Sequence, residues 1–172
     1  MLKISLANNF YEYQNEIELV QAQNRVECDL YSIIAQIIRE NVQGKNISLR
    51  DVSERRETEF SKPFRGDSGF PDFVIRTREK SNNARNLGAV EAKYVTKDLN
   101  LKKYLDQLDG HIRFYERVIY TNGLEWRFYN KNNPDKNWKV ILGEIINNTF
   151  EWKDLKQWEK LLTELGNIVW TD

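Results

Sequence analysis

Apolar positions along the chain follow two periods, and each period predicts its own kind of element. From about Phe10 to Asn41, Ile17, Val20, Leu30, Ile34 and Ile38, with Ile33 and Ile37 beside them, recur at spacings of three, four and seven. That spacing predicts one long amphipathic helix ending near Gly44. Residues 45–65 mix charges with few apolar positions and predict an irregular or edge-strand segment. The turn residues of "RGDSGFPD" then lead into "FVIRT", and a second apolar run, "GAVEAKYV", follows a polar connection, "RTREKSNNARN". Two strands joined as a hairpin are predicted there. Farther on, Leu101, Tyr104, Leu105, Leu108, Ile112 and Tyr115 predict a helix with one buried face. In "RVIYTNGLEWRFY" two apolar runs flank Asn122-Gly123, a strong hairpin signal. "WKVILGEI" predicts a further strand, and Leu155, Trp158, Leu161, Leu162 and Leu165 predict a closing helix from about Lys153 to Leu165, with "NIVWTD" beyond Gly166 as a tail.

The strand period of two has a chemical consequence in the middle of the chain. It sets Glu91 and Lys93 on one face of "GAVEAKYV", opposite Val90, Ala92 and Tyr94. A hairpin would return Asp72, at the head of the preceding strand, to the same place. Two carboxylates beside an amine make a site suited to a hard divalent cation and a water. The plainer alternative is a turn-capping Asp followed by an exposed Glu–Lys strand pair, worth a few tenths of a kcal/mol.

Other candidates carry two readings each. Glu27 falls on the apolar face of the first predicted helix, where an unpaired carboxylate is costly. It is either an acid of the same site or a helix-edge residue that reaches solvent or an Arg. Gln107 lies mid-helix, where glutamine is also simply a good surface residue. Arg50, Arg55, Arg56, Lys62 and Arg65 precede the acidic site and either hold phosphates or form a solvated face with Glu54, Glu57 and Glu59. The single histidine, His111, has no Cys or His at ligand spacing, which argues against zinc, and no Ser or Cys sits in a nucleophile elbow. The tryptophans suit core packing more simply than base stacking.

Composition sets the outer bounds. A chain of 172 residues that is 40% hydrophobic suits one globular domain spanning 1–172, able to bury a core unaided. Lys plus Arg and Asp plus Glu balance at 26 each, so any nucleic-acid binding must come from local patches. The lone Cys28, the polar start and the lack of a long apolar span point to a cytoplasmic protein with no disulfide and no membrane partner.

These residues carry a resemblance. Pro71-Asp72, an interval of eighteen residues (73–90) and then Glu91-Ala92-Lys93 resemble the PD-(D/E)xK nuclease superfamily, with its restriction-endonuclease-like α/β fold of a central mixed sheet flanked by helices. "GFPDFVI…GAVEAKYV…LDQLDGHIRFYERVIYTNGLEWRFY" is similar to nuclease domains of fused restriction-modification enzymes and of type I restriction subunits, over roughly residues 20 to 130. The resemblance implies Mg²⁺, with Mn²⁺ as a substitute, held by Asp72, Glu91 and the Ala92 carbonyl, with Glu27 as an added helix acid. It implies that Lys93 orients and helps deprotonate the attacking water, and that Gln107 lies near the scissile phosphate. Where some subfamilies have a tyrosine four residues after Gln107, this chain has His111. The implied activity is a metal-dependent DNA endonuclease of a restriction-modification or phage-defence system. Its implied partners are DNA, a methyltransferase or target-recognition domain or subunit, and a transient second copy. The reading from another class is a catalytically silent nuclease-like module that binds nucleic acid or a protein.

Overall fold

The computed structural model describes residues 5–42, 45–54 and 58–171. The expected helix end at Gly44 and the candidate residues Arg55, Arg56 and Glu57 lie outside them. The described elements are α1 (Phe10–Leu19), α2 (Asp29–Asn41), β1 (Ile47–Asp51), β2 (Phe73–Thr77), β3 (Asn86–Ala92), α3 (Lys102–Tyr115), β4 (Arg117–Thr121), β5 (Glu125–Asn130), β6 (Trp138–Ile141), β7 (Gly143–Ile146), β8 (Thr149–Trp152) and α4 (Leu155–Asn167). The first six strands form one sheet in chain order, and β7 and β8 form a separate ribbon. All neighbours in the larger sheet are antiparallel except β3 and β4, which run parallel because α3 carries the chain back between them.

The central strands read as continuous apolar runs because both faces of the sheet are covered. Phe73, Ile75, Val90, Ile119, Trp126 and Phe128 pack with α1, α2 and α4 in the larger core. Val74, Ala89, Val118 and Tyr120 point the other way, into a smaller core with Leu108 and Tyr115 of α3. This is the mixed α/β architecture that the sequence predicts. Among the described residues no helix is long and apolar enough to cross a membrane.

Four expectations are corrected. The single long helix is two: α1 leaves through a π turn at Val20–Asn24, and Arg25 adopts the left-handed φ of 56° before α2 begins. None of residues 21–29 is buried, so no apolar face holds a helix there, and the Arg25 Nε–H closes the turn on the Gln21 carbonyl at 3.0 Å. "WKVILGEI" is likewise two strands in two sheets. Buried Leu142 separates them, its N–H donating to the Leu124 carbonyl at 2.7 Å, and β7 turns through left-handed Asn147 and Asn148 into β8. The described part of "NIVWTD", residues 167–171, is not a separate tail. α4 continues through Gly166 to Asn167, Ile168 and Trp170 are buried, and Trp170 meets Phe128 edge-on with centroids 6.0 Å apart. At the other end of α4, Leu155 is 55% exposed instead of lying on the buried stripe.

Candidate active site

The antiparallel register pairs Phe73 with Val90, so one rung farther sets Asp72 opposite Glu91 at the end of the sheet. Lys93 follows immediately after β3, fixed by its backbone N–H donating to the Thr121 carbonyl at 2.8 Å. All three charged side chains are buried, Asp72 at 3%, Glu91 at 2% and Lys93 at 6% exposure. Buried charges require partners, and each has some. Asp72 Oδ2 accepts the Ala92 N–H at 2.8 Å, and its Oδ1 accepts the Tyr31 hydroxyl at 2.6 Å. Lys93 Nζ pairs closely with Glu91 Oε1, donates to Gln107 Oε1 at 3.0 Å, and sits 5.1 Å from the Tyr104 ring centre. His111 Nε2 lies 3.2 Å from Glu91 Oε2 without forming a hydrogen bond.

Helix α3 addresses this strand end by a match of spacings. Four residues of α-helix rise about 6 Å, close to the roughly 6.6 Å covered by two residues of strand. Gln107 therefore reaches Lys93 while His111, one turn on, faces Glu91. The segment before β2 packs tightly on this helix because position 110 is glycine, where a Cβ would fall 1.7 Å from Ser68 Oγ.

The two carboxylates differ electrostatically because their neighbours differ. Burial, and next the charge of Glu91, push the Asp72 carboxyl up to about 7, against the lowering effect of its bonds from Tyr31 and Ala92. Burial acts on Glu91 in the same sense, but His111 and Lys93 outweigh it and hold that carboxyl below its usual range. Burial and the Asp72 charge also raise the Tyr31 hydroxyl above its usual range.

Glu27 lies in the break before α2 and borders the site. Its Oε2 accepts the Tyr94 N–H at 2.8 Å and its Oε1 accepts the Tyr31 hydroxyl at 3.3 Å, so Tyr31 bridges Glu27 and Asp72. The structure thus gathers Asp72, Glu91, Ala92, Lys93 and Gln107 at one sheet end, with Glu27 one tyrosine hydroxyl away. Arg50, Lys62 and Arg65 are exposed on the surface. Sequence reasoning missed Tyr31 and gave no role to His111. Each carried a faint signal, standing four residues after Glu27 and Gln107 respectively, which is one helical turn.

The donor set fits a cation such as Mg²⁺. The Asp72 carboxyl, pushed up toward 7, has no cation among its described neighbours, and Glu91 Oε2 is buried without a hydrogen bond. Among the described residues no group of three or more His, Cys, Asp or Glu side chains is placed to hold a metal. A carboxylate pair remains, and Mg²⁺ commonly takes one or two carboxylates and keeps several waters.

No protein family and no curated protein matches the chain. Among solved structures it is similar to one described as a cryo-EM structure of a DrdV–DNA complex. That match has a TM-score of 0.59 and 12% sequence identity, covering 95% of this chain and 14% of the other. This chain therefore spans only a small part of that protein's length, and at such identity the likeness is one of fold. The chain has a restriction-endonuclease-like α/β fold that brings an acid pair, a lysine and a glutamine together at one end of its sheet.

Proposed function

We propose that this chain is a metal-dependent nuclease that hydrolyses DNA phosphodiester bonds, as the cleavage domain of a restriction-modification or phage-defence system. The observation that carries the proposal is the buried pair Asp72 and Glu91 on facing strand ends, with the Lys93 amine tied to Glu91. Asp72, Glu91 and the Ala92 carbonyl would hold Mg²⁺, or Mn²⁺ in its place, with Glu27 closing the set through Tyr31. Such an ion neutralises the phosphate and acidifies water, which answers the two obstacles to attack on an anionic ester.

The chain's own groups divide the remaining work. Lys93, aimed by Gln107 and the Tyr104 ring, would orient the attacking water and, as an ammonium, stabilise the hydroxide it becomes and the charge growing on the phosphate. Tyr31 and the Ala92 N–H fix the Asp72 carboxylate, limiting its loss of freedom when substrate arrives. In-line attack would leave a 5′-phosphate and a 3′-hydroxyl. A groove of about 830 Å³ lined by Tyr31, Ser32, Arg39, Ser53 and Phe60 opens beside these residues and offers room for a strand. The similar structure is a DNA complex, which supports DNA as substrate. Its much greater length supports a separate methyltransferase or target-recognition partner, and cutting both strands would call for a transient second copy.

The test is cleavage of supercoiled plasmid with Mg²⁺, Mn²⁺ or EDTA, comparing wild type with Asp72→Ala and Lys93→Ala. Metal-dependent nicking that falls by at least about a hundredfold in both variants is the expected result. A folded wild type that neither nicks DNA nor binds either metal would overturn the reading in favour of a silent binding module.

A further inference from the structure

His111 has no exposure to solvent, yet neither ring nitrogen makes a hydrogen bond among the described residues. Burying two polar atoms without partners is costly, and a histidine used only to fill the core would be expected to satisfy at least one of them. Glu91 Oε2, itself buried and without a hydrogen bond, lies 3.2 Å from Nε2. Two unmatched atoms thus lie at hydrogen-bond distance from each other. The Tyr115 ring, with centroids 6.4 Å apart, offers packing but no partner in its place.

We propose that His111 is a positioning residue for Glu91: its Nε2–H holds Oε2 while Lys93 holds Oε1, fixing the carboxylate plane for the cation shared with Asp72. This rests on the metal-site reading above and adds to it a residue that touches neither ion nor substrate. A carboxylate offers about four lone-pair directions, so two donors along one edge leave others for a metal. Groups that orient a metal ligand in this way commonly change metal affinity 10- to 100-fold when removed. The donor is required whichever charge the ring carries. Gln107 and His111 then form a matched pair of props on α3, one for the lysine and one for the acid.

The experiment is Mn²⁺ affinity of the full chain by electron paramagnetic resonance, with urea unfolding as the check on folding. It compares wild type, His111→Gln, His111→Asn and His111→Phe. A glutamine amide reaches the place of Nε2, whereas an asparagine amide reaches only that of Nδ1, and phenylalanine keeps the ring without a donor. Affinity retained within about threefold in His111→Gln but weakened about tenfold or more in His111→Asn and His111→Phe supports the proposal. Should His111→Phe fail to fold, the contrast between the Gln and Asn variants decides alone. Wild-type binding with equal affinities in the Gln and Asn variants overturns the role of His111 and leaves the metal site standing. A wild type that binds no Mn²⁺ overturns the metal-site reading, and this inference with it.

Discussion

Asp72 and Glu91 are the same functional group at facing strand ends, and their surroundings give them opposite tendencies. Glu91 has Lys93 and His111 against it, while Asp72 has only the neutral Tyr31 hydroxyl and the Ala92 N–H. Without metal, Asp72 therefore keeps a proton up to about 7 in the folded chain, whereas its ordinary value is 3.8. Between those values the folded state binds more protons than the unfolded state, so this group's contribution to stability is lost as pH rises from about 4 to about 7. The ceiling is on the order of 4 kcal/mol, from about 1.4 kcal/mol per pKa unit. Glu91 acts in the opposite sense, its depressed carboxyl adding stability that disappears only as pH falls below its usual range. Asp72→Asn cannot ionise, so in EDTA its unfolding free energy should change little from pH 5 to pH 8 while that of wild type declines. Urea titrations at both pH values check this, and parallel declines in the two proteins would refute it. A variant that gains stability where it loses chemistry is a common signature of strained functional sites.

At the scale of elements, what sequence reveals depends on how local its cause is. The pairing of Glu91 with Lys93 was legible because strand parity is a property of neighbouring residues. The Asn122-Gly123 hairpin was legible because φ at Gly123 is +86°, a conformation glycine adopts without strain. The break between α1 and α2 was not legible, because what uses it is Tyr94, whose N–H meets Glu27 across 67 residues of chain. His111 escaped notice for the same reason, since Glu91, the carboxylate it faces, lies on another element. The docked C-terminus was hidden as well: Trp170 packs where Gly88 leaves room, a Cβ there falling 2.6 Å from the indole. Trp170→Ala should therefore lower the unfolding free energy by about 3 kcal/mol or more, in the range for burying and losing a large aromatic. Urea unfolding at neutral pH measures it, and a loss under about 1 kcal/mol would mean that the segment contributes little.

For the whole molecule, charge balance bears on the proposed DNA substrate. With 26 basic and 26 acidic side chains there is no net charge to pull the chain toward a polyanion, and any such affinity would have to come from local patches. The chain by itself should bind duplex DNA in the non-specific range, with Kd of about 10⁻⁴–10⁻⁶ M at physiological salt and little sequence preference. Fluorescence anisotropy over a salt series tests this in the presence of Ca²⁺, a cation that supports binding in many metal-dependent nucleases without supporting cleavage. Nanomolar binding to one sequence over others would instead place base reading within these 172 residues.

Helix α3 and strand β3 act as two rulers of different graduation laid side by side. Their marks coincide for one interval, Gln107 to His111 against Lys93 to Glu91. Over a second interval the helix would advance about 12 Å and the strand about 13 Å, and the helical side chain would have turned by about 80° from its first direction. Beyond these two rungs the helix keeps step with the strand poorly, and Tyr31 reaches Asp72 from another direction, on α2. The same arithmetic makes the length of α3 between residues 107 and 111 invariant. One inserted residue there would swing His111 by about 100° away from Glu91, whereas a residue added to the exposed connection between β2 and β3 would leave every rung of the site in place.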